Sequence, residues 1–259
     1  MLLQNQYSLS EYPIFDHNID DLLTDNLPQK SVLINTINQY SFCMAAEDKD
    51  FKESLQHSDI LLPDGVGVVA ATRFLTGEKL HKIAGADAHG FLLKKLNKDG
   101  GKCFYLGASE STLKKIKEKL SKEYPNVKVG SYSPPFKKEF SDLDNADMVK
   151  AVNAYKPDVL FIGMTAPKQE KWAYQHKAQL NARVICTIGA VFDFYAGTVE
   201  RPSKVWINLG LEWLGRLVHE PKRLWKRYLY YGPVFVGLIL KEKFRPSAYK
   251  SIMHKASLN

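Results

Sequence analysis

Asp64 stands at a position in the sequence that suits acid–base chemistry. It follows an apolar segment, residues 58–62 (SDILL), and is itself followed by Gly65 and Gly67. The apolar segment predicts a strand of a buried sheet, and the glycines allow the chain to turn tightly after it. At the carboxyl end of such a strand, Asp64 points into the crevice where open α/β sheets bind ligands. A carboxylate there can take a proton from a bound hydroxyl group, although helix capping explains the position equally well.

Uncharged polar side chains follow another predicted strand, residues 30–36 (KSVLINT). Asn35, Thr36 and Asn38 stand at its carboxyl edge, where they can hydrogen-bond a sugar or a base. Helix capping accounts for these residue types just as well, so the sequence leaves both roles open.

Two loops between a predicted strand and a predicted helix suit anion or sugar binding. The run GMTAPKQE, residues 163–170, places Lys168 and Gln169 in the first helical turn, where backbone amide groups face a ligand. The run LGAS, residues 106–109, repeats that arrangement and suits a phosphate. Because parallel strands end at the same edge of a sheet, we expect these two loops and the two described above to line one crevice.

The sequence carries no pattern typical of a bound metal. Its seven histidines are scattered, without the paired spacing of a zinc site. Asp142 and Asp144 form a D-x-D pattern that opens an amphipathic helix, so we interpret them as caps within a solvated turn. A Walker lysine motif, a G-x-S-x-G elbow and a C-x-x-C pair are all missing from the sequence. We therefore predict neither a metal nor a cofactor.

Apolar runs rich in β-branched residues alternate with amphipathic stretches of helical length. This alternation predicts an α/β fold, in which helices cover a mostly parallel sheet. The predicted strands are short and nearly all apolar, as strands buried on both faces are, and comprise residues 30–36, 58–62, 102–106, 127–132, 158–162 and 183–188. The clearest helices are predicted at residues 109–124, 142–155 and 167–180.

The formal net charge of +8 is distributed unevenly. From Arg201 onward there are 12 Lys and Arg against 3 Asp and Glu, whereas the first 200 residues carry 24 against 25. A basic tail on a near-neutral body indicates an acidic partner, either nucleic acid or an anionic membrane surface. The first fifteen residues lack the pattern of a secretory signal, and three cysteines cannot all pair, so we expect reduced thiols and a cytoplasmic location.

Strand patterns stop after Gly197, so we divide the chain into an α/β domain, residues 1–197, and a basic appendage, residues 198–259. Within the appendage, the apolar run 228–240 is shorter than the roughly 20 residues that a membrane-spanning helix needs. Its flanking cations and aromatic residues are typical of a segment that lies on a bilayer surface. A helix packed on its own domain is the alternative.

Several ordered blocks of the sequence resemble one family of enzymes. The likeness extends over about residues 36–243. Its matching blocks are NTIN (35–38), PDGVG (63–67), IAGAD (83–87), FYLG (104–107), PDVLFIGMTAPKQE (157–170), GAVFDFYAG (189–197) and GLEWLGRLVHEPKRLWKRY (210–228). On these blocks the chain is identified as similar to the WecG/TagA/CpsF family, glycosyltransferase family 26.

The resemblance implies a Rossmann-like glycosyltransferase, and we expect it to be inverting and to need no metal, because arginines of the tail can stabilise the departing UDP in place of one. It implies transfer of an N-acetylmannosamine-type sugar, or a related hexose, from a UDP-sugar donor. The implied acceptor is N-acetylglucosamine linked to undecaprenyl diphosphate, at the inner face of the plasma membrane, in cell-surface polysaccharide or teichoic acid synthesis. A peripheral membrane association follows from that acceptor, and a homo-oligomer is compatible with it.

The family motifs also assign roles to individual residues. Asp64 matches the proposed catalytic base, and the polar residues of the pocket match Thr36, Asn38 and Gln169. Lys82 stands where many members carry arginine, which keeps the positive charge but loses the bidentate fork. The arginines assigned to the leaving diphosphate match Arg216, Arg223 and either Lys226 or Arg227, of which we select Arg227.

Two other classes of function remain open on the sequence alone. A nucleic-acid-binding module would account for the basic, aromatic-rich tail, but no RNA-binding signature accompanies it. A nicotinamide-dependent oxidoreductase rests only on G-x-G-x-x-A at residues 65–70, and helical sequence follows where that fingerprint needs a second strand. We therefore expect a transferase that binds no nucleic acid.

Overall fold

A six-stranded parallel sheet forms the centre of the molecule. The computed structural model describes residues 7–23, 27–200, 206 and 211–245. A small antiparallel pair, β1 (Tyr7–Leu9) and β2 (Tyr12–Ile14), precedes it. The central strands are β3 (Val32–Ile37), β4 (Ile60–Pro63), β5 (Lys102–Gly107), β6 (Lys128–Tyr132), β7 (Val159–Gly163) and β8 (Val184–Thr187). Their spatial order is β4-β3-β8-β7-β5-β6, and every pairing is parallel.

Helices connect the strands and cover both faces of the sheet. In the first part of the chain they are α1 (Gln39–Glu47), α2 (Lys49–Gln56), α3 (Val66–Thr76), α4 (Gly85–Asp99), α5 (Glu110–Glu123), α6 (Asp142–Tyr155), α7 (Lys168–His176) and α8 (Val191–Ala196). In the tail they are α9 (Glu212–His219), α10 (Pro221–Trp225) and α11 (Tyr231–Lys243), with a π-helical turn at Lys226–Tyr230.

The sequence-based expectation of a Rossmann-like α/β fold is confirmed. Each of the six predicted central strands is present, with ends displaced by at most two residues. The predicted helix 167–180 ends earlier, at His176, and continues as a 3-10 turn at Lys177–Gln179. The connection from α3 to α4 contains no strand, so the glycine pattern at residues 65–70 lacks the second strand of a dinucleotide site.

Alternation along the strands places apolar side chains in cores on both faces of the sheet. Ile34 of β3 lies in the core beneath α4, α5 and α8, whereas its neighbour Leu33 lies in the core beneath α6 and α7. A third cluster lies beneath α1, α2 and α3 and includes Ile37 and Leu61. Because the strands are covered on both sides, their sequences are nearly continuous apolar runs.

The last helix packs against the α/β core. Phe235 and Ile239 of α11 are buried in the cluster beneath α1 and α3. The ring of Phe235 meets Phe42 of α1 edge to face at 5.4 Å, and Tyr231 meets Tyr40 at 5.0 Å. One face of α11 therefore packs in the core. This agrees with the alternative given above for the apolar run 228–240, a helix packed on its own domain. Within the described ranges, no helix has the length and apolar content that crossing a membrane requires.

Candidate active site

The carboxyl ends of β3 and β4 bring the principal candidate residues side by side. Ile37 and Pro63 are paired at the strand ends, and the backbone N–H of Asp64 donates to the carbonyl of Ile37 at 2.9 Å. Asp64 therefore lies next to Asn38, with Thr36 two residues before it on the neighbouring strand. The turn after Asp64 needs a left-handed residue, since Gly65 has a φ of +105°. The glycine turn predicted after Asp64 is confirmed.

The strand connections predict a crevice where β3 meets β8. The connection after β3 leads to α1 on one face of the sheet, whereas the connection after the adjacent β8 leads to α8 on the other face. Such divergence leaves a gap at the carboxyl edge, where open α/β sheets bind ligands. Asn38 and Asp64 follow the paired ends of β3 and β4 on one side of this edge, and both side chains are partly exposed.

The four loops predicted to form one crevice share an edge but do not meet at a point. Taking adjacent strands as about 4.8 Å apart, the ends of β4 and β7 lie about 14 Å from each other. The LGAS loop after β5 is one strand further away, at about 19 Å from the end of β4. A single sugar spans only the end of the edge that holds Asp64, so the other loops suit different parts of a longer ligand.

The polar residues around β3 divide between structural and accessible roles. Asn35 is fully buried, donating to Ser58 Oγ at 2.8 Å and accepting from Thr187 Oγ1 at 2.7 Å. Asn38 caps α1, because its Oδ1 accepts from the backbone N–H groups of Tyr40 and Ser41 at 3.0 and 3.1 Å. A contact of Asn38 with substrate is therefore left to its Nδ2 group, while Thr36 remains partly exposed.

Arg227 joins this cluster from the tail. Burial lowers the pKa of its guanidinium and the positive charge of Arg216 lowers it further, whereas the negative charge of Asp64 raises it. These effects place Arg227 within electrostatic reach of both residues. Its guanidinium also lies over the ring of Tyr40, 5.2 Å from the centroid. Two partly buried arginines that influence each other, one of them coupled to Asp64, create positive charge that suits a diphosphate.

The other tail cations are placed differently. The guanidinium of Arg216 lies 5.3 Å from the ring centroid of Phe194, beside a cavity of about 250 Å³ between α8 and α9. Lys226, the alternative to Arg227, is exposed. Arg223 belongs to α10, but its side chain falls outside the described residues. Of the two candidates for the third cation, the structure therefore favours Arg227.

Gln169 organises two loops of the crevice from a buried position. Its Oε1 accepts from the backbone N–H groups of Met164 and Gly189, at 3.2 and 3.0 Å, which ties the loop after β7 to the loop after β8. Its Nε2 donates to Oε1 of Glu170 at 2.8 Å. The side chain is only 4% exposed, so a direct contact with substrate stays a prediction.

Glu170 is a buried acid that sequence reasoning missed. Burial raises its pKa from the ordinary value of 4.5 to about 7, although the hydrogen bond from Gln169 lowers it. Its Oε2 has no hydrogen-bond partner within the described part of the chain. The only sequence signal was its place directly after Gln169 in a strand–loop–helix motif. A carboxyl group in this setting is neutral at mildly acidic pH, and its ionised form is disfavoured by burial away from water.

We expect Glu170→Gln to stabilise the protein at pH 8 and to stabilise it much less at pH 5. The folded state holds the proton up to about pH 7 while the unfolded state releases it near pH 4.5, so wild-type stability falls as the pH rises between these values. A glutamine reproduces the neutral acid and avoids ionisation, which adds roughly 1 to 3 kcal/mol to the free energy of unfolding at pH 8. Urea denaturation at both pH values measures the difference.

The exposed Glu118 on α5 provides the matched control. Glu118→Gln should leave the free energy of unfolding close to that of wild type at both pH values, since substitutions of exposed surface residues usually change stability little. Equal stabilisation by the two variants, or a Glu170→Gln effect that does not grow with pH, would show that Glu170 is ionised in the fold.

The D-x-D pair forms a helix cap. Lys137 Nζ donates to both carboxylate oxygens of Asp144, at 3.0 and 2.8 Å, and Ser141 completes a capping box at the start of α6. The lysine hydrogen bonds, followed by those from Ser141, lower the pKa of Asp144 to about 2. The interpretation of this pair as a cap is confirmed. Across the described ranges, no group of three or more His, Cys, Asp or Glu side chains is arranged to hold a metal ion.

Comparison with known proteins places the chain in a family. A model of the glycosyl transferase WecG/TagA/CpsF family matches residues 9–249. An N-acetylglucosaminyldiphosphoundecaprenol N-acetyl-beta-D-mannosaminyltransferase of Bacillus subtilis (strain 168) is 33% identical over 89% of this chain and 88% of its own. Proteins of the same name from Bacillus spizizenii (strain W23) and Staphylococcus aureus (strain MW2) are each 28% identical, over 87% and 84% of this chain and 85% and 83% of theirs. The chain therefore belongs to the WecG/TagA/CpsF family of glycosyltransferases.

Proposed function

We propose that this protein transfers an N-acetylmannosamine-type sugar from UDP to N-acetylglucosamine linked to undecaprenyl diphosphate, in cell-wall polymer synthesis. The names of its relatives support the transferred sugar and the lipid-linked acceptor. The observation that carries the proposal is the placement of Asp64 beside Asn38 at the carboxyl edge of the sheet, with Arg227 in electrostatic reach. A base and a leaving-group site are the two parts that such a transfer requires.

Asp64 acts as the general base. A hydroxyl group of the acceptor loses its proton to the carboxylate while its oxygen forms a bond with the anomeric carbon of the donor. The bond between that carbon and the diphosphate oxygen breaks, and UDP leaves with the electron pair. A single displacement of this kind inverts the configuration at the anomeric carbon. A positioned base typically contributes about 10²- to 10⁴-fold to the rate.

The arginines of the tail stabilise the departing UDP. Negative charge grows on the diphosphate as the glycosidic bond breaks, and fixed cations lower the energy of that state. Arg227 and Arg216 already repel each other in the folded protein, as the effect of Arg216 on the pKa of Arg227 indicates. A diphosphate bound between them relieves this repulsion, so the site is preorganised for an anion. With these cations present, the transfer requires no metal.

The tail also suits contact with an anionic membrane. Val236, Leu240 and Phe244 are exposed on or just after α11, whereas Phe235 and Ile239 of the same helix are buried. Each Lys or Arg near an anionic leaflet adds about 1 kcal/mol of binding free energy. An apolar face flanked by cations supports peripheral association with the inner face of the plasma membrane, where the lipid-linked acceptor resides.

A transfer assay tests the proposed function and its independence of metal. The full chain is incubated with a panel of UDP-sugars and an N-acetylglucosaminyl-diphospho-lipid acceptor, and the product and its anomer are identified by NMR. We expect UDP-N-acetylmannosamine to give a β-linked product, with the rate unchanged by EDTA because arginines neutralise the leaving group. A rate that falls with EDTA and recovers with added Mg²⁺ would disprove metal independence, and transfer to no acceptor would disprove the function.

A further inference from the structure

Helix α3 exposes an apolar face beside the candidate active site. Val69 and Ala70 lie three and four residues after Val66, and Phe74 lies four residues after Ala70, so the four residues form one stripe along the helix. The opposite face, with Val68 and Ala71, is buried in the core. The stripe lines a cavity of about 640 Å³, a volume typical of ligand sites.

Exposure of this stripe is unusual for a helix of a soluble domain. Val66 and Phe74 are each 44% exposed, although α3 already buries a complete face in the core. A surface helix normally carries polar residues on its outer face. A second apolar face lining a cavity therefore indicates a ligand that covers it.

Three cations surround the same cavity. Arg73 lies on α3 directly before Phe74, and Lys79 and Lys82 lie on the segment that leads to α4. Within the described ranges, neither Arg73 nor Lys79 forms a salt bridge with a carboxylate, and both are exposed. The cavity thus combines an apolar floor with positively charged side chains, which suits an amphiphile that carries a phosphate or diphosphate.

The groove connects the candidate base with the exposed face of α11. Its near end is Val66, two residues after Asp64, and its far end is Phe74, about 12 Å further along α3. At the far end, Lys243 of α11 donates to the carbonyl of Phe74 at 2.8 Å and lies 5.3 Å from its ring centroid. Phe244, the residue after α11, is 78% exposed.

We propose that this groove binds the first isoprenoid units and the diphosphate of the lipid-linked acceptor, an inference that rests on the proposed function. The isoprenoid lies on the apolar stripe. The diphosphate contacts Lys82, which lies at the Asp64 end because the backbone N–H of the next residue, Ile83, donates to the carbonyl of Pro63 at 3.0 Å, while Arg73 and Lys79 lie at the Phe74 end, where the chain enters. The chain enters from the membrane at Phe74, and the sugar that follows the diphosphate lies at Asp64. In this arrangement Lys82 serves the acceptor diphosphate, whereas Arg216 and Arg227 serve the departing UDP.

Binding of farnesyl diphosphate tests the groove independently of catalysis. Inorganic diphosphate is the reference ligand, because it offers the same charged group without the isoprenoid. We expect wild-type protein to bind farnesyl diphosphate at least about tenfold more tightly than inorganic diphosphate, since the apolar chain covers the stripe. Isothermal titration calorimetry measures both dissociation constants.

Ala70→Gln and Phe74→Gln place a neutral polar side chain on the stripe. We expect each to reduce the preference for farnesyl diphosphate by about tenfold while leaving the affinity for inorganic diphosphate unchanged. Ala146→Gln and Phe136→Gln are matched controls, because both residues are exposed in or before α6, away from the groove. Circular dichroism and thermal unfolding establish that the four variants fold like wild type.

Three results would overturn the proposal. Equal affinity of wild type for the two ligands would show that no isoprenoid binds, and an undiminished preference in both groove variants would place it elsewhere. A change of oligomeric mass in the groove variants without loss of preference would make the stripe an interface between copies of the chain. Failure of the transfer assay with farnesyl diphosphate still bound at the groove would overturn the proposed function and leave the groove standing as an isoprenoid diphosphate site.

Discussion

Asp64→Asn should lower kcat by at least about a hundredfold and leave the folded structure intact. Asparagine has the shape of aspartate but cannot accept a proton, so the acceptor hydroxyl stays a poor nucleophile. The backbone contact that fixes the turn, from the N–H of Asp64 to the carbonyl of Ile37, does not involve the side chain. The KM for the UDP-sugar should change little, because the base acts on the acceptor.

Initial rates at saturating concentrations of both substrates measure this effect, and thermal unfolding establishes that the variant is folded. Asp142→Asn is the matched control, since it makes the same substitution at an exposed position in the first turn of α6. We expect its kcat to equal that of wild type. A kcat of Asp64→Asn within a fewfold of wild type would exclude Asp64 as the base, and a large loss in Asp142→Asn would assign the chemistry to the D-x-D pair.

The sheet was predictable because its strands are buried on both faces. A strand such as residues 158–162, DVLFI, is apolar throughout, and the surrounding helices are amphipathic, so the two patterns differ clearly. The position of Asp64 followed from the same reasoning, because a residue that directly follows a parallel strand must lie at its carboxyl edge. The hydrophobic pattern of each segment, together with the order of segments along the chain, was sufficient to predict the sheet and the position of Asp64.

Contacts between distant parts of the chain were not predictable from pattern alone. The amide group of Gln169 joins two loops 25 residues apart, at Met164 and Gly189, and nothing in its local sequence specifies that partner. Helix α3 is apolar nearly all around, so periodicity does not tell which face enters the core. The packing of α11 on α1 likewise joins residues far apart in the sequence, such as Cys43 and Tyr231.

Replacing Arg227 should produce the second largest loss of activity. Arg227→Gln removes the cation that lies in electrostatic reach of Asp64, and we expect kcat to fall by about 10²- to 10³-fold, as when a single donor to a developing negative charge is lost. Arg227→Lys restores the charge without the planar fork that matches a diphosphate, so its loss should be smaller, at about tenfold. Steady-state kinetics with UDP-sugar and lipid acceptor measures both.

The neighbouring Lys226 supplies the control, because it is exposed and carries the same charge one residue earlier. Lys226→Gln should keep kcat near the wild-type value, whereas an equal loss in both variants would mean that only the overall charge of the tail matters. A rise in the KM for UDP-sugar without a fall in kcat would place Arg227 in ground-state binding of the donor. Since the charge on UDP grows only as the bond breaks, a group that stabilises the leaving diphosphate must act on kcat.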